Sequence, residues 1–222
     1  SGTCTFQSPG TYSYSDPNFK GKIFKGTVVV TKTPLSLSVA LAISPGVTVY
    51  GHSETLSGKT SDHASGQSVQ VLARSCRQAA ATAVGSTTTT SGGAFSAQRH
   101  PLNNTTYSVK VKGATSNSVL AGVKPSQQLR KTSLHHFSIR VSAAASFAAK
   151  YVTFQRYNSL RRRWVNVRTV TLRRNPSGVL PTIVSAAAFT SSIARPQRVR
   201  TVFSKPEVGA CYIPGISNVI YN

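Results

Sequence analysis

Acidic residues are almost missing from this 222-residue chain: Asp16, Glu54, Asp62 and Glu207 face 26 Lys and Arg, for a formal net charge of +22. Most basic side chains therefore have no carboxylate within the chain to pair with. They must be solvated, matched by counterions or held against an anionic partner. The same scarcity argues against catalysis, because general acid–base chemistry needs a carboxylate pair or a histidine oriented by a carboxylate. Asp62 and His63 are sequence neighbours in a loop, which is not the geometry of a triad. No GxSxG, P-loop or GxGxxG motif occurs, and no HExxH or CxxC spacing. Of the five histidines (His52, His63, His100, His135 and His136), the last two are adjacent. On a strand they face opposite sides, so both cannot hold one metal. The expectation is a non-enzymatic protein with no cofactor, no metal and no small-molecule substrate.

Two further absences bear on location. No run of 18 or more apolar residues exists, and the longest, Leu35 to Ile43, is broken by Ser36 and Ser38. No transmembrane helix is therefore encoded. Methionine is absent and the chain opens at Ser1, as expected of a processed product whose signal sequence has been removed.

What is present is a period of two. Leu35, Leu37, Val39, Leu41 and Ile43 share one parity; Val69, Val71 and Ala73 alternate with Gln70 and Arg74. Tyr107, Val109 and Val111 alternate with Ser108, Lys110 and Lys112, and Phe137, Ile139 and Val141 with Ser138 and Arg140. Each run predicts a strand with one face on a core and one in water. Val165 and Val167 have one parity and Val170 and Leu172 the other, which predicts a bulge or a tight bend at Arg168–Thr169. Turn clusters such as Ser57-Gly58-Lys59, Ser91-Gly92-Gly93 and Asn175-Pro176-Ser177-Gly178 separate the runs. Only Gln78 to Val84 and Ser142 to Lys150 are Ala-rich, and at most a short turn is expected in either. A weak repeat runs through the chain: GQSVQVLAR, STTTTSGGAFSAQ and NTTYSVKVKG…SNSV are echoed by AKYVTFQRY, RWVNVRTVTLRR and PQRVRTVFS…ISNVIYN. The fold class is all-β, two copies of one sandwich.

The segments VTVYGHSETLSGKT, GQSVQVLARSC, NNTTYSVKVKGATSNSV, KYVTFQRYNSLRRRWVNVRTVTLRR and VGACYIPGISNVI resemble tandem immunoglobulin-like repeat domains. Such repeats occur in secreted and surface proteins of bacteria, particularly actinobacteria. The resemblance covers roughly residues 33–222 and implies two β-sandwich modules used as spacers, adhesive units or structural repeats. It implies a secreted or cell-surface location and carries over no catalytic residue. The expected organisation is an N-terminal β extension, 1–32, then domain 1 at 33–125 and domain 2 at 126–222. The basic load is uneven: residues 126–222 hold 15 Lys and Arg against Glu207, whereas residues 1–125 hold 11 against three acids.

Three cysteines in an exported chain give one disulfide and one leftover, with three pairings open. In a tandem of Ig-like domains, Cys76 follows the third strand of domain 1 and Cys211 precedes the last strand of domain 2, so both fall at the domain junction. The resemblance thus implies a Cys76–Cys211 bridge that stiffens the tandem and leaves Cys4 for a bond between subunits; a Cys4–Cys76 pair is the alternative.

Two further sets are candidates for contact with partners. Residues 1–32 are rich in aromatics and contain the strand-like Val28, Val29 and Val30, which suits strand addition to a neighbouring subunit and self-association into a filament or layer, or a fold-back onto domain 1. Arg161, Arg162 and Arg163 with Trp164, backed by Arg156, Arg168, Arg173 and Arg174, form the best anion-binding candidate. Arginine forks suit phosphate or carboxylate, and Trp164 is placed either to stack on a base or sugar ring or to pack on the core edge. Anionic partners that suit such a surface are cell-wall polymer, acidic glycan, nucleic acid and a lipid surface. No zinc-finger, helix-turn-helix or RNP-type pattern supports nucleic acid specifically.

Overall fold

The computed structural model describes residues 5–16, 24–31, 36–193 and 197–222. It is all-β, with several sheets that are antiparallel except for one parallel pair of strands, and two short helical turns among the described residues, Ser91–Gly93 and Lys205–Val208. Among the described residues no helix is long and apolar enough to cross a membrane. The chain divides into two compact units, Ser1–Leu37 and Ser38–Asn222. In the first, β1 (Gly10–Asp16) pairs antiparallel with β2 (Phe24–Val30), matching Tyr12 with Val28. The Phe6 and Tyr12 rings lie 4.6 Å apart. Cys4 lies outside the described residues.

The second unit contains two successive sandwich-like layers of sheet. Its first half runs β3 (Val39–Ser44), β4 (Val47–Val49), β5 (Glu54–Thr60), β6 (Ser68–Ser75), β7 (Thr82–Thr88), β8 (Ala94–Arg99), β9 (Thr105–Val111), β10 (Ala114–Thr115) and β11 (Val119–Lys124). One sheet has the order β3-β5-β8 and the other β4-β11-β9-β6-β7, with β10 on β9. The second half runs β12 (Ser126–Ser133), β13 (His136–Ala143), β14 (Tyr151–Asn158), β15 (Arg163–Thr171), β16 (Arg173–Asn175), β17 (Ile183–Thr190), β18 (Arg198–Phe203), α1 (Lys205–Val208), β19 (Gly215–Ile216) and β20 (Ile220–Tyr221). Here the sheets are β12-β13-β17-β16 and β15-β14-β18-β19, with β20 also on β18. The repeated segments of the sequence occupy matching places: β11-β9-β6-β7, with β10 on β9, in one half corresponds to β20-β18-β14-β15, with β19 on β18, in the other.

The predicted alternation sets the cores. Tyr107, Val109 and Val111 of β9 are buried, as are Phe137, Ile139 and Val141 of β13. Phe137, Ile139 and Val141 meet Phe154, Val199 and Phe203 of the facing sheet in one apolar cluster. The strand expected from Leu35 begins at Val39; Val39 and Leu41 are buried, and Leu35 lies outside the described residues. The bulge falls one residue earlier than expected, because Phe154 pairs with Arg168 and Gln155 with Asn166, leaving Val167 as the extra residue of β15. Neither Ala-rich segment is helical: Thr82 onward enters β7, and Ser142–Ala143 ends β13 before a stretch of bends and turns.

A Ser-Asn pair closes each half in the same way. Asn117 accepts from the Leu41 N–H and donates to the Leu41 carbonyl, both at 2.9 Å. Asn218 does the same to Leu129, at 2.8 and 3.0 Å. The preceding serines repeat the logic, Ser116 Oγ accepting from Val109 N–H and Ser217 Oγ from Thr201 N–H. Each asparagine thus stands in for a strand, using both ends of its amide to satisfy the backbone of a buried leucine on the opposite sheet.

The halves are joined through Pro125, which is buried, and through a dense junction. A disulfide links Cys76 to Cys211, with Cα atoms 5.3 Å apart. Asn104 uses all its polar groups there. Its N–H donates to the Cys211 carbonyl (2.9 Å) and its Nδ2 to the Ala210 carbonyl (3.1 Å), while Oδ1 accepts from Val123 N–H (2.9 Å) and its carbonyl from Cys76 N–H (2.9 Å). Ile213 N–H donates to the Val123 carbonyl at 2.8 Å, and Tyr212 Oη to the Leu102 carbonyl at 3.1 Å. Burial pushes the Tyr212 phenol up to about 12, so it remains a donor at neutral pH. Tyr50 and Val123 of the first half pack into the apolar cluster of the second. Closing a loop of 135 residues, the bridge is worth about 5 kcal/mol in the chain-entropy account.

Asn117→Ala and Asn218→Ala each strand a buried N–H and C=O, so each lowers unfolding stability by about 2 kcal/mol. Urea denaturation checks this; Asn218→Asp, which accepts but cannot donate, is expected to fall between wild type and alanine. Glu54 is 1% exposed, and neither carboxylate oxygen has a hydrogen-bond partner among the described residues, although Arg99 lies opposite in register. Desolvation raises its pKa, so the folded state binds this proton more tightly than the unfolded chain does. The destabilising effect is absent in acid, below the unfolded pKa, and grows as pH rises through the folded value. Glu54→Gln is expected to gain stability at neutral pH and little in acid, so that its urea midpoint varies less with pH than that of wild type.

Candidate functional site

Cross-strand register decides which basic side chains meet. On β14, Val152 and Phe154 face the core, so Gln155 and Tyr157 face outward. On β18, Val199, Thr201 and Phe203 are buried, so Arg198 and Arg200 face outward. Gln155 pairs with Asn166 on β15 and with Arg200 on β18, making one row across three strands. In the next row Tyr157 pairs with Trp164. The half-buried Trp164 is therefore on the solvent side of the sheet, not in the core.

The two rows interlock into a ladder of rings and guanidinium groups. Tyr157 and Trp164 meet at 5.3 Å with planes inclined by 62°. The Arg200 guanidinium lies 4.1 Å from the Trp164 ring centre, and that of Arg198 lies 5.1 Å from Tyr157 and 5.8 Å from Trp164. With no carboxylate in ion-pair reach of them among the described residues, both arginines are held by ring faces instead. Arg200 Nε donates to Gln155 Oε1 at 2.9 Å, and Gln155 Nε2 donates on to Asn166 Oδ1 at 2.8 Å. Partial burial lowers the Arg200 pKa without threatening its charge. Guanidinium groups held over rings in this way suit binding of carboxylate, sulfate or phosphate. Beside the ladder, a cleft of about 370 Å³ is lined by Arg156, Tyr157, Asn158, Leu160, Arg198 and Tyr221.

The candidate arginines are distributed over several places. Arg161 and Arg162 are exposed in the β14–β15 turn, where Arg161 N–H is capped by Asn158 Oδ1 at 3.0 Å, and Arg163 opens β15 opposite Asn158. Arg156 pairs with Val165 and projects to the face opposite Trp164, where its Nη1 donates to Gln197 Oε1 at 3.3 Å. Arg168, beside the bulge, donates to the Thr190 carbonyl at 2.7 Å and covers the Phe189 ring. Arg173 and Arg174 belong to β16 in the other sheet and do not join Trp164. Arg198, Arg200 and Tyr157, which do meet Trp164, were not singled out in the sequence; the alternation of Arg198-Val199-Arg200-Thr201 is the signal that places the two arginines on one face.

Acids do not offset this surface. Glu207 is buried and accepts from Tyr151 N–H at 3.1 Å. The one ion pair among the described residues is Lys112 to Asp62 at 3.8 Å, in the first half. Val28 and Val29 of β2 are 38% and 65% exposed, and Val30 is half-buried. The chain matches no protein-family model, and none of the curated proteins is similar to it.

Proposed function

We propose that this chain is a non-enzymatic extracellular surface protein of two Ig-like domains, 33–125 and 126–222, following an N-terminal segment 1–32 that mediates self-association. The observation that carries the reading is the repeated strand order with its repeated Ser-Asn closure, since one sandwich built twice serves as a spacer or structural unit. The Cys76–Cys211 bridge supports an oxidising compartment. The β1–β2 hairpin supports self-association: no third strand pairs with it among the described residues, and two strands alone are marginal in water. In fractionated native cells, the protein is expected outside the cytoplasm with the 76–211 cross-link present in a non-reducing peptide map; a reduced cytosolic pool would sink the reading. Sedimentation of the full chain is expected to show concentration-dependent association that deletion of residues 1–32 abolishes.

A second reading is favoured by the arginine–aromatic ladder: adhesion to an anionic polymer through domain 2. Polymer contact made by guanidinium groups weakens steeply with salt. Arg198→Ser and Arg200→Ser are each expected to weaken retention on heparin or a polyuronate about ten-fold at low salt, roughly 1.4 kcal/mol. Anion binding is expected to perturb Trp164 fluorescence, a direct readout because Trp164 is the single tryptophan.

A further inference from the structure

The other sheet of residues 126–222 carries a second basic surface. Its inward side chains, including Phe137, Ile139, Val141 and Phe189, enter the same apolar cluster as Phe154, Val199 and Phe203. Its outward side chains therefore lie on the opposite side of the sandwich from the ladder. Pairing registers define the rows on that face. Gln128 pairs with Arg140, Arg140 with Ala186, and Ala186 with Arg173, so one row crosses all four strands. The neighbouring row is Arg130, Ser138 and Ala188. Between the arginines the floor is made of Ser138, Ala186 and Ala188, none of which rises to their height. This leaves a shallow groove of about 350 Å³ bounded by Gln128, Arg130, Arg140 and Asn175. It continues past Gln128 and Arg140 into a second depression of about 390 Å³ flanked by Ser126, Ser142 and Asn218. Arg140 is steadied by a 2.9 Å bond from Nη1 to Ser177 Oγ.

The chemistry of this surface selects among polyanions. Neither row contains an acid, and neither contains an aromatic ring. Stacking on rings is what gives single-stranded nucleic acid its hold on a protein face. Amides and hydroxyls arranged between guanidinium groups match a chain of sugar hydroxyls interspersed with carboxylates or sulfates. We infer that the outward face of β12-β13-β17-β16, centred on Arg130, Arg140 and Arg173, is a second binding surface for acidic polysaccharide, and that one molecule bridges two such chains through opposite faces of a single sandwich. The ladder supplies one of the two contacts, so the bridging rests on the second reading above. Sheets packed about 10 Å apart, each with side chains projecting outward, keep a short oligosaccharide from reaching both surfaces.

The test uses the full oxidised chain. Calorimetric titration with a short oligouronate counts sites, and light scattering with long polyuronate detects cross-linking. Wild type is expected to take two oligomers per chain and to cross-link the polymer. The triple variant R130S/R140S/R173S and the double variant R198S/R200S are each expected to take one oligomer and to bind polymer without cross-linking it. Far-UV circular dichroism confirms folding, and R140Q, a single surface change expected to weaken the second site several-fold, serves should the triple variant not fold. A single wild-type site that survives the triple change overturns the inference and leaves the ladder reading standing. A single site that survives R198S/R200S but not the triple change overturns the ladder reading and the bridging together, and no binding at all overturns both. Equal binding of oligothymidylate with the same response to the variants overturns the assignment to polysaccharide.

Discussion

The constraint on which this molecule turns is a surface charge that cannot be neutralised from within. A guanidinium group without a carboxylate still seeks a planar partner and acceptors for its hydrogens. Here those are rings and neutral oxygens: Trp164 and Tyr157 for Arg198 and Arg200, Gln155 for Arg200, Gln197 for Arg156, and the Thr190 carbonyl for Arg168. Such contacts orient the side chain without cancelling its charge. The result is a fixed array of cations whose field is open to a polyanion, in place of a surface of internally satisfied salt bridges.

The few acids are spent elsewhere. Glu207 satisfies the Tyr151 amide, and Asp62 organises a loop, its carboxylate accepting from Gln67 Nε2 and the Ala64 N–H. The Gln67 hydrogen bond, more than the nearby Lys112, holds the Asp62 carboxyl below its usual range. Glu54 is buried with its oxygens unpartnered among the described residues, which makes it a liability rather than a counter-charge. Where other proteins use ion pairs to fix their joints, this chain uses neutral amides. Asn104 at the junction and Asn117 and Asn218 at the two closures each satisfy a donor and an acceptor at once.

The junction and the two closures also explain why the two halves of the second unit do not form a loose tandem. The closures are local to each half, and each half has one. The junction is not repeated: it draws on Leu102, Asn104 and Val123 from one half and on the segment Ala210–Ile213 from the other. The disulfide adds a covalent tie at the same place. Gly122 belongs to this set because a Cβ there would come within 3.0 Å of Ile213 and 3.2 Å of Val47. A side chain at that position would require the Ile213 and Val47 side chains to give way by a few tenths of an ångström.

The sequence by itself determined several of the strands and their inward faces and carried a weak repeat, because the side-chain period of an extended backbone is a local property that survives without knowledge of neighbours; Ser57-Gly58-Lys59, which reads as a turn, lies instead inside β5. Tyr107, Val109 and Val111, or Phe137, Ile139 and Val141, needed nothing else to be placed in a core. The bulge was legible to within one residue, since a change of parity marks that a residue has been inserted but not which partner strand absorbs it. The tertiary structure alone decided which arginines form a site. Arg200 meets Trp164 across a strand between them, and Arg173 lies in line with Arg140 across another, through registers set by hydrogen bonds between segments far apart in the chain. Sequence proximity grouped Arg156 with Trp164 and Arg163 with Arg173; pairing and the alternation of faces separated them, because on a sheet the neighbours of a side chain are mostly residues of other strands.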